Sequence, residues 1–113
     1  MSLSDLLTNA QSNTVSLDDP KWFQFVLDHL DYIKARSTVF AIDAPLMNLY
    51  RYDLRRFLKV YMKRHEDIGG IVQLLNGIKN DFEFAEPRNL IIPEDSLITK
   101  LYHSYVTVNA NAS

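Results

Sequence analysis

The sequence predicts an α+β fold, mostly helical, with two short strands set among amphipathic helices. Apolar residues recur at helical spacing in four stretches, around residues 22–33, 54–61, 68–75 and 97–105. Two short runs, Ser37 to Asp43 and Leu90 to Ile92, turn instead to β-branched and aromatic residues. With 113 residues and 47% hydrophobic content, the chain fits one domain around one modest core.

Residues 1–17 are rich in Ser, Asn and Thr and read as an N-terminal arm, either a frayed end or a segment that orders on a partner. Asp18-Asp19-Pro20 then signals a helix start, since Asp suits the N-cap and Pro the first turn. A helix is expected over residues 20–36, with Trp22, Phe23, Val26, Leu30 and Ile33 on its apolar face. Lys34 and Arg36 suit its C-terminal end.

The first strand follows, with Val39 or Phe40 facing inward and Ala44-Pro45 breaking it. Leu46 to Tyr50 is readable as extended or as a short helix. Asp53 caps the next helix, LRRFLKVYMKRH, whose stripe is Leu54, Phe57, Leu58 and Tyr61. Asp67 is expected to start IGGIVQLLN, with the Gly69-Gly70 pair in its first turn, where backbones can approach closely. Gly77 supplies the left-handed residue that ends the helix, and Ile78 folds back onto it.

Residues 79–89 form a polar, acidic loop with Phe82 and Phe84 embedded in it. Leu90 to Ile92 is the second strand, and Pro93 stops it and opens a last helix, EDSLITKLYHSY. The domain is placed at residues 18–105, its centre at 38–93, with a loose tail over 106–113.

The order from Thr38 to Pro93 is strand, helix, helix, loop, strand. "DLRRFLKVY", "IVQLLNGIKN" and "NLIIP" stand where LysM domains carry their first-helix, second-helix and closing-strand patterns, and the chain resembles that family over about half its length. The resemblance implies a LysM-like β-α-α-β core, here framed by N- and C-terminal helices. The entry to the first strand departs from the family pattern, residues 44–52 replace its tight Gly-Asp turn, and "EPRN" stands where a glycine is usual. The loops that grip N-acetylglucosamine polymers in this family are both altered. The pattern is closer to the LysM-like parts of contractile-phage baseplates, where the module joins proteins.

The expected function is accordingly that of a structural subunit of a phage tail baseplate, wedge-like, or of a related contractile injection assembly. Its partners would be other baseplate or tail proteins. Its location would be the virion, after synthesis in the host cytoplasm. The alternatives are a peptidoglycan- or chitin-oligomer-binding module and a small soluble protein-binding adaptor.

Other chemistry finds little support. Charged residues make up 23% of the chain and the net charge is −2, which attracts neither nucleic acid nor an anionic membrane. There is no cysteine, so disulfides and thiolate metal sites are excluded. The first residues lack the basic and apolar regions of a secretion signal, and no run nears the roughly 18 apolar residues of a membrane span. His29, His65 and His103 have no ligand spacing, and no phosphate loop, metal motif or cofactor motif is present. No catalytic, cofactor or metal residue is assigned, and no enzyme activity is expected.

The candidate contact residues are Trp22, Phe25, Tyr50, Tyr52, Arg55, Arg56, Lys59 and Lys63. Positions 52, 56, 59 and 63 share one helical face, so three of the basic residues can form a stripe. That stripe is a solvated face, or a dock for an acidic partner or for the chain's own acidic loop, or a nucleic-acid contact. Tyr50 and Tyr52 read equally as lids of the core and as interface anchors.

Overall fold

The computed structural model describes residues 17–64 and 68–112, the last four by backbone alone. The elements are α1 (Pro20–Asp28), α2 (Leu30–Ala35), β1 (Ser37–Ile42), α3 (Ala44–Tyr50), α4 (Leu54–Arg56) running into a π-turn (Phe57–Tyr61), α5 (Gly69–Asn76), a 3₁₀ turn (Asp81–Glu83), β2 (Arg88–Pro93) and α6 (Asp95–Ala112). The fold is α+β: mostly helical, with β1 and β2 paired antiparallel in register from Ser37↔Pro93 to Ile42↔Arg88.

The first helix is capped as expected, Asp19 Oδ1 accepting from the Lys21 N–H at 3.0 Å. It does not run unbroken to residue 36. His29 leaves helical geometry at φ −110° and ψ 14° and divides α1 from α2. Its Nδ1 lies 2.8 Å from the Phe25 carbonyl oxygen, an acceptor only, so Nδ1 carries the proton. The Phe25 carbonyl thus accepts from both the His29 imidazole and the His29 N–H, the latter at 3.2 Å, and the ring stacks on Phe25 at 4.2 Å.

Ala44-Pro45 does not merely break β1; it begins α3. Asp43 accepts from the Leu46 N–H at 3.0 Å, and the proline occupies the first turn, where its missing N–H costs nothing. Of the two candidates for the inward face of β1, Phe40 packs against Phe57 and Tyr61, while Val39 is 64% exposed.

The helix capped by Asp53 is shorter than its pattern. After one α-turn the ladder widens, with the Met62 N–H reaching Phe57 O at 3.0 Å, and Lys63 closes it at φ 55°. The wider turn keeps Leu54, Phe57 and Leu58 buried but carries Tyr61 outward, where its ring stacks on Phe57 at 5.4 Å. The expected start of the next helix at Asp67 lies outside the described residues. Within α5, Gly69 is buried, and a Cβ on Gly70 would meet the Leu17 side chain at 3.0 Å.

Gly77 takes φ 66° as expected, and the Ile78 N–H folds back to Gln73 O at 2.9 Å. Pro93 closes β2 without opening the last helix, which starts at Asp95. The tail read as loose is helical through Ala112. One cluster joins Trp22, Val26 and Ile33 with Leu54, Phe57, Ile71, Leu75, Ile78, Phe84, Leu90, Ile92 and Ile98, so flanking helices and strand-bearing centre share a core.

Candidate interaction surface

Two connections meet at one end of the sheet. The first joins α3 to α4. Tyr52 sits there at φ 65°, a left-handed conformation that strains a bulky side chain by about 1–3 kcal/mol. It is held by its N–H, which donates to Phe84 O at 2.7 Å, and by the Asp53 N–H donating to Tyr50 O at 2.9 Å. The second joins α5 to β2. There Asn80 Oδ1 accepts from the Phe82 N–H at 3.0 Å, and Glu83 Oε2 accepts from the Lys79 N–H at 2.7 Å.

This small polar turn divides its two aromatic residues. Phe84 is fully buried against Phe57, whereas Phe82 is 78% exposed. The Phe82 ring lies 5.7 Å from that of Tyr52, itself 49% exposed. Leu49, on the last turn of α3, is 69% exposed. The loops are thus tied by a backbone hydrogen bond and carry a paired aromatic surface. Exposed large apolar residues grouped in this way are characteristic of contact surfaces.

The predicted contact residues divide into three groups. Trp22 is corrected: it is 1% exposed, packed against Phe25, Tyr102 and Tyr105, and offers no surface to a partner. Phe25 is half-buried in the same aromatic group. Tyr50 resolves as a lid, its ring edge-on to Phe57 and Tyr61. Tyr52 lies at the surface, as do Arg55, Arg56, Lys59 and Lys63.

The helical spacing from which the stripe was expected is interrupted by the π-turn and the left-handed Lys63. The Arg56 guanidinium lies 5.5 Å over the Tyr50 ring. Arg55 instead borders a groove of about 470 Å³ lined also by Leu17, Phe23, Gly70, Leu74 and Lys79. Among the described residues, no ion pair joins Arg56, Lys59 or Lys63 to Asp81, Glu83 or Glu86; Arg64 reaches Asp95 at 3.3 Å.

Phe82 and Leu49 are not among the predicted contact residues. A phenylalanine between Asn80-Asp81 and Glu83 was the available signal, since a ring flanked by solvated groups has little chance of reaching the core. Among the described residues, no three His, Asp or Glu side chains gather as a metal site, and no helix is long and apolar enough to cross a membrane. Comparison with family models, curated proteins and solved structures found no match.

Proposed function

We propose that the chain is a LysM-like structural module that works by protein contacts, as a wedge-like subunit of a phage tail baseplate or a related contractile injection assembly. In this reading it is made in the host cytoplasm, carried in the virion, and performs no reaction. The observation that carries the contact role is the Tyr52–Phe82 pair, exposed on two loops that the Tyr52 N–H and Phe84 O hold together. The LysM-like part of the reading is supported by the order β1, α3, α4, α5, β2 and by the direct pairing of its outer strands. Ile78, Leu90 and Leu58, the positions on which that resemblance depends, lie in one core, with Leu74 packed against it.

A sugar-binding module would use the same two loops, so the reading needs a test that separates them. Purified chain is mixed in turn with the sheath, tube and wedge proteins encoded beside it and with insoluble peptidoglycan. The reading expects retention of a tail protein, weakened at least tenfold by Phe82→Ser, and no retention on peptidoglycan. Retention on peptidoglycan that chitin oligomers compete away would replace it with the wall-binding reading. Retention on neither target would favour the soluble adaptor.

A further inference from the structure

The two edges of the sheet are treated differently. The outer edge of β2 is covered by α5: Asn76 Nδ2 donates to Ile91 O at 2.9 Å, and the Ile91 N–H donates to Asn76 Oδ1 at 2.8 Å. Both main-chain groups of Ile91 therefore point away from β1. In an antiparallel ladder its opposite residue, Val39, must also point both of its groups away from the partner strand. By the same alternation Ser37, Val39 and Ala41 turn their N–H and C=O groups to the outer side of β1. Those of Val39 and Ala41 have no hydrogen-bond partner among the described residues.

The usual protections of an edge strand are missing. Residues 37–42 carry no charge and no proline, and the register with β2 contains no bulge. Val39 is 64% exposed at the middle of the strand. Such an edge is built to accept another strand.

We propose that the open edge of β1 pairs antiparallel with β1 of a second copy, about a two-fold axis at Val39, to form a continuous four-stranded sheet. Two features favour a second copy. The outward-facing residues are symmetric about Val39, so Ser37 meets Ala41 of the other copy and Val39 meets its equivalent, and six hydrogen bonds close with none left over. The strand is neutral, so self-pairing sets no like charges against each other. The pairing would also cover Val39. It rests on the sheet alone and stands or falls independently of any role in a tail.

Light scattering on the eluting full chain at increasing concentration provides the first test. A mass rising towards twice the 13.1 kDa chain is expected. Val39→Lys opposes two ammonium groups at the axis and should restore the single-chain mass, with the circular dichroism and Trp22 emission of the wild type retained. Because the chain has no cysteine, Val39→Cys reports the register: mild oxidation should cross-link it at least tenfold more than Ala41→Cys, whose opposite residue is Ser37. The proposal is overturned by a single-chain mass at every soluble concentration, by a dimer that survives Val39→Lys, or by equal cross-linking at 39 and 41. A monomer whose Val39 amide is protected from hydrogen exchange overturns it too, and gives the edge to another segment of the same chain.

Discussion

Asn76 acts as the missing neighbour of Ile91. Its side-chain amide exchanges two hydrogen bonds with the Ile91 main chain, 2.9 Å to the carbonyl and 2.8 Å from the N–H, as a strand residue would. The second amide hydrogen closes onto Val72 O at 2.7 Å inside α5, and the Asn76 carbonyl accepts from Arg88 Nη2 at 3.2 Å. One residue thus ends a helix, covers a sheet edge and fixes the distance between them. Asn76→Leu keeps the side-chain volume but leaves the Ile91 N–H and C=O unpaired, and should cost about 2–4 kcal/mol in urea unfolding. Trp22, the single tryptophan and 1% exposed, is a built-in reporter for that measurement. Asn76→Asp should fare no better, since it replaces a donor to two carbonyls with an acceptor.

Phe57 is the point at which strand, helix and loop meet. Its ring lies within 6.1 Å of those of Phe40, Tyr50, Tyr61 and Phe84, and it is fully buried. Phe57→Ala should destabilise by about 3–5 kcal/mol, a loss large enough to unfold a domain of this size at physiological temperature. Tyr61→Ala, on the same turn but 45% exposed, should cost clearly less in the same unfolding assay.

Two left-handed residues predict changes of opposite sign. A Cβ on Gly77 would meet nothing within 4 Å, so Gly77→Ala tests backbone strain alone and should cost about 1 kcal/mol. Lys63 already bears such strain at φ 55°, and Lys63→Gly should gain up to about 1 kcal/mol in thermal unfolding.

Tyr52→Gly separates function from stability. Relief of strain at φ 65° offsets loss of the contact with Phe82, so stability should move by less than about 1 kcal/mol. Binding to a tail protein should nonetheless fall with Phe82→Ser, as read by the same retention assay.

The Tyr105 hydroxyl donates to Asp19 Oδ2 at 2.7 Å, joining the start of α1 to α6. That bond, more than any other influence, holds the Asp19 carboxyl below its ordinary range, with burial opposing it. A carboxyl depressed on folding stabilises the fold above its unfolded pKa, about 3.9 for Asp, and loses that contribution as pH falls through the lower folded value. Tyr105→Phe should therefore be less stable than wild type at neutral pH. The difference should shrink below about pH 4 as Asp19 is protonated in both proteins, as urea midpoints across the acid range would show.

Much of the fold was legible because local signals agreed with one another. Asp19, Asp43 and Asp53 each accept an N–H at a helix start, Gly77 ends α5, and β-branched residues mark both strands. What was missed depends on tertiary context. The break at His29, where the imidazole and the N–H share the Phe25 carbonyl, and the π-turn at Phe57 are not encoded in apolar spacing. Residues 106–112 looked loose because their Val, Thr and Asn are weak helix formers, while the helix begun at Asp95 continues through them. Trp22 looked like an interface anchor because burial cannot be told from exposure on a single amphipathic face. The basic stripe assumed unbroken helical spacing from 52 to 63, which the π-turn and the left-handed Tyr52 and Lys63 interrupt.

A role as a structural subunit of a contractile tail can be read from protein mass spectrometry of tail particles purified from the system that encodes this chain. The chain should be present at a fixed ratio to the other baseplate proteins and be retained through a high-salt wash. Complete particles that lack the chain, with the chain left in the soluble fraction, would contradict it.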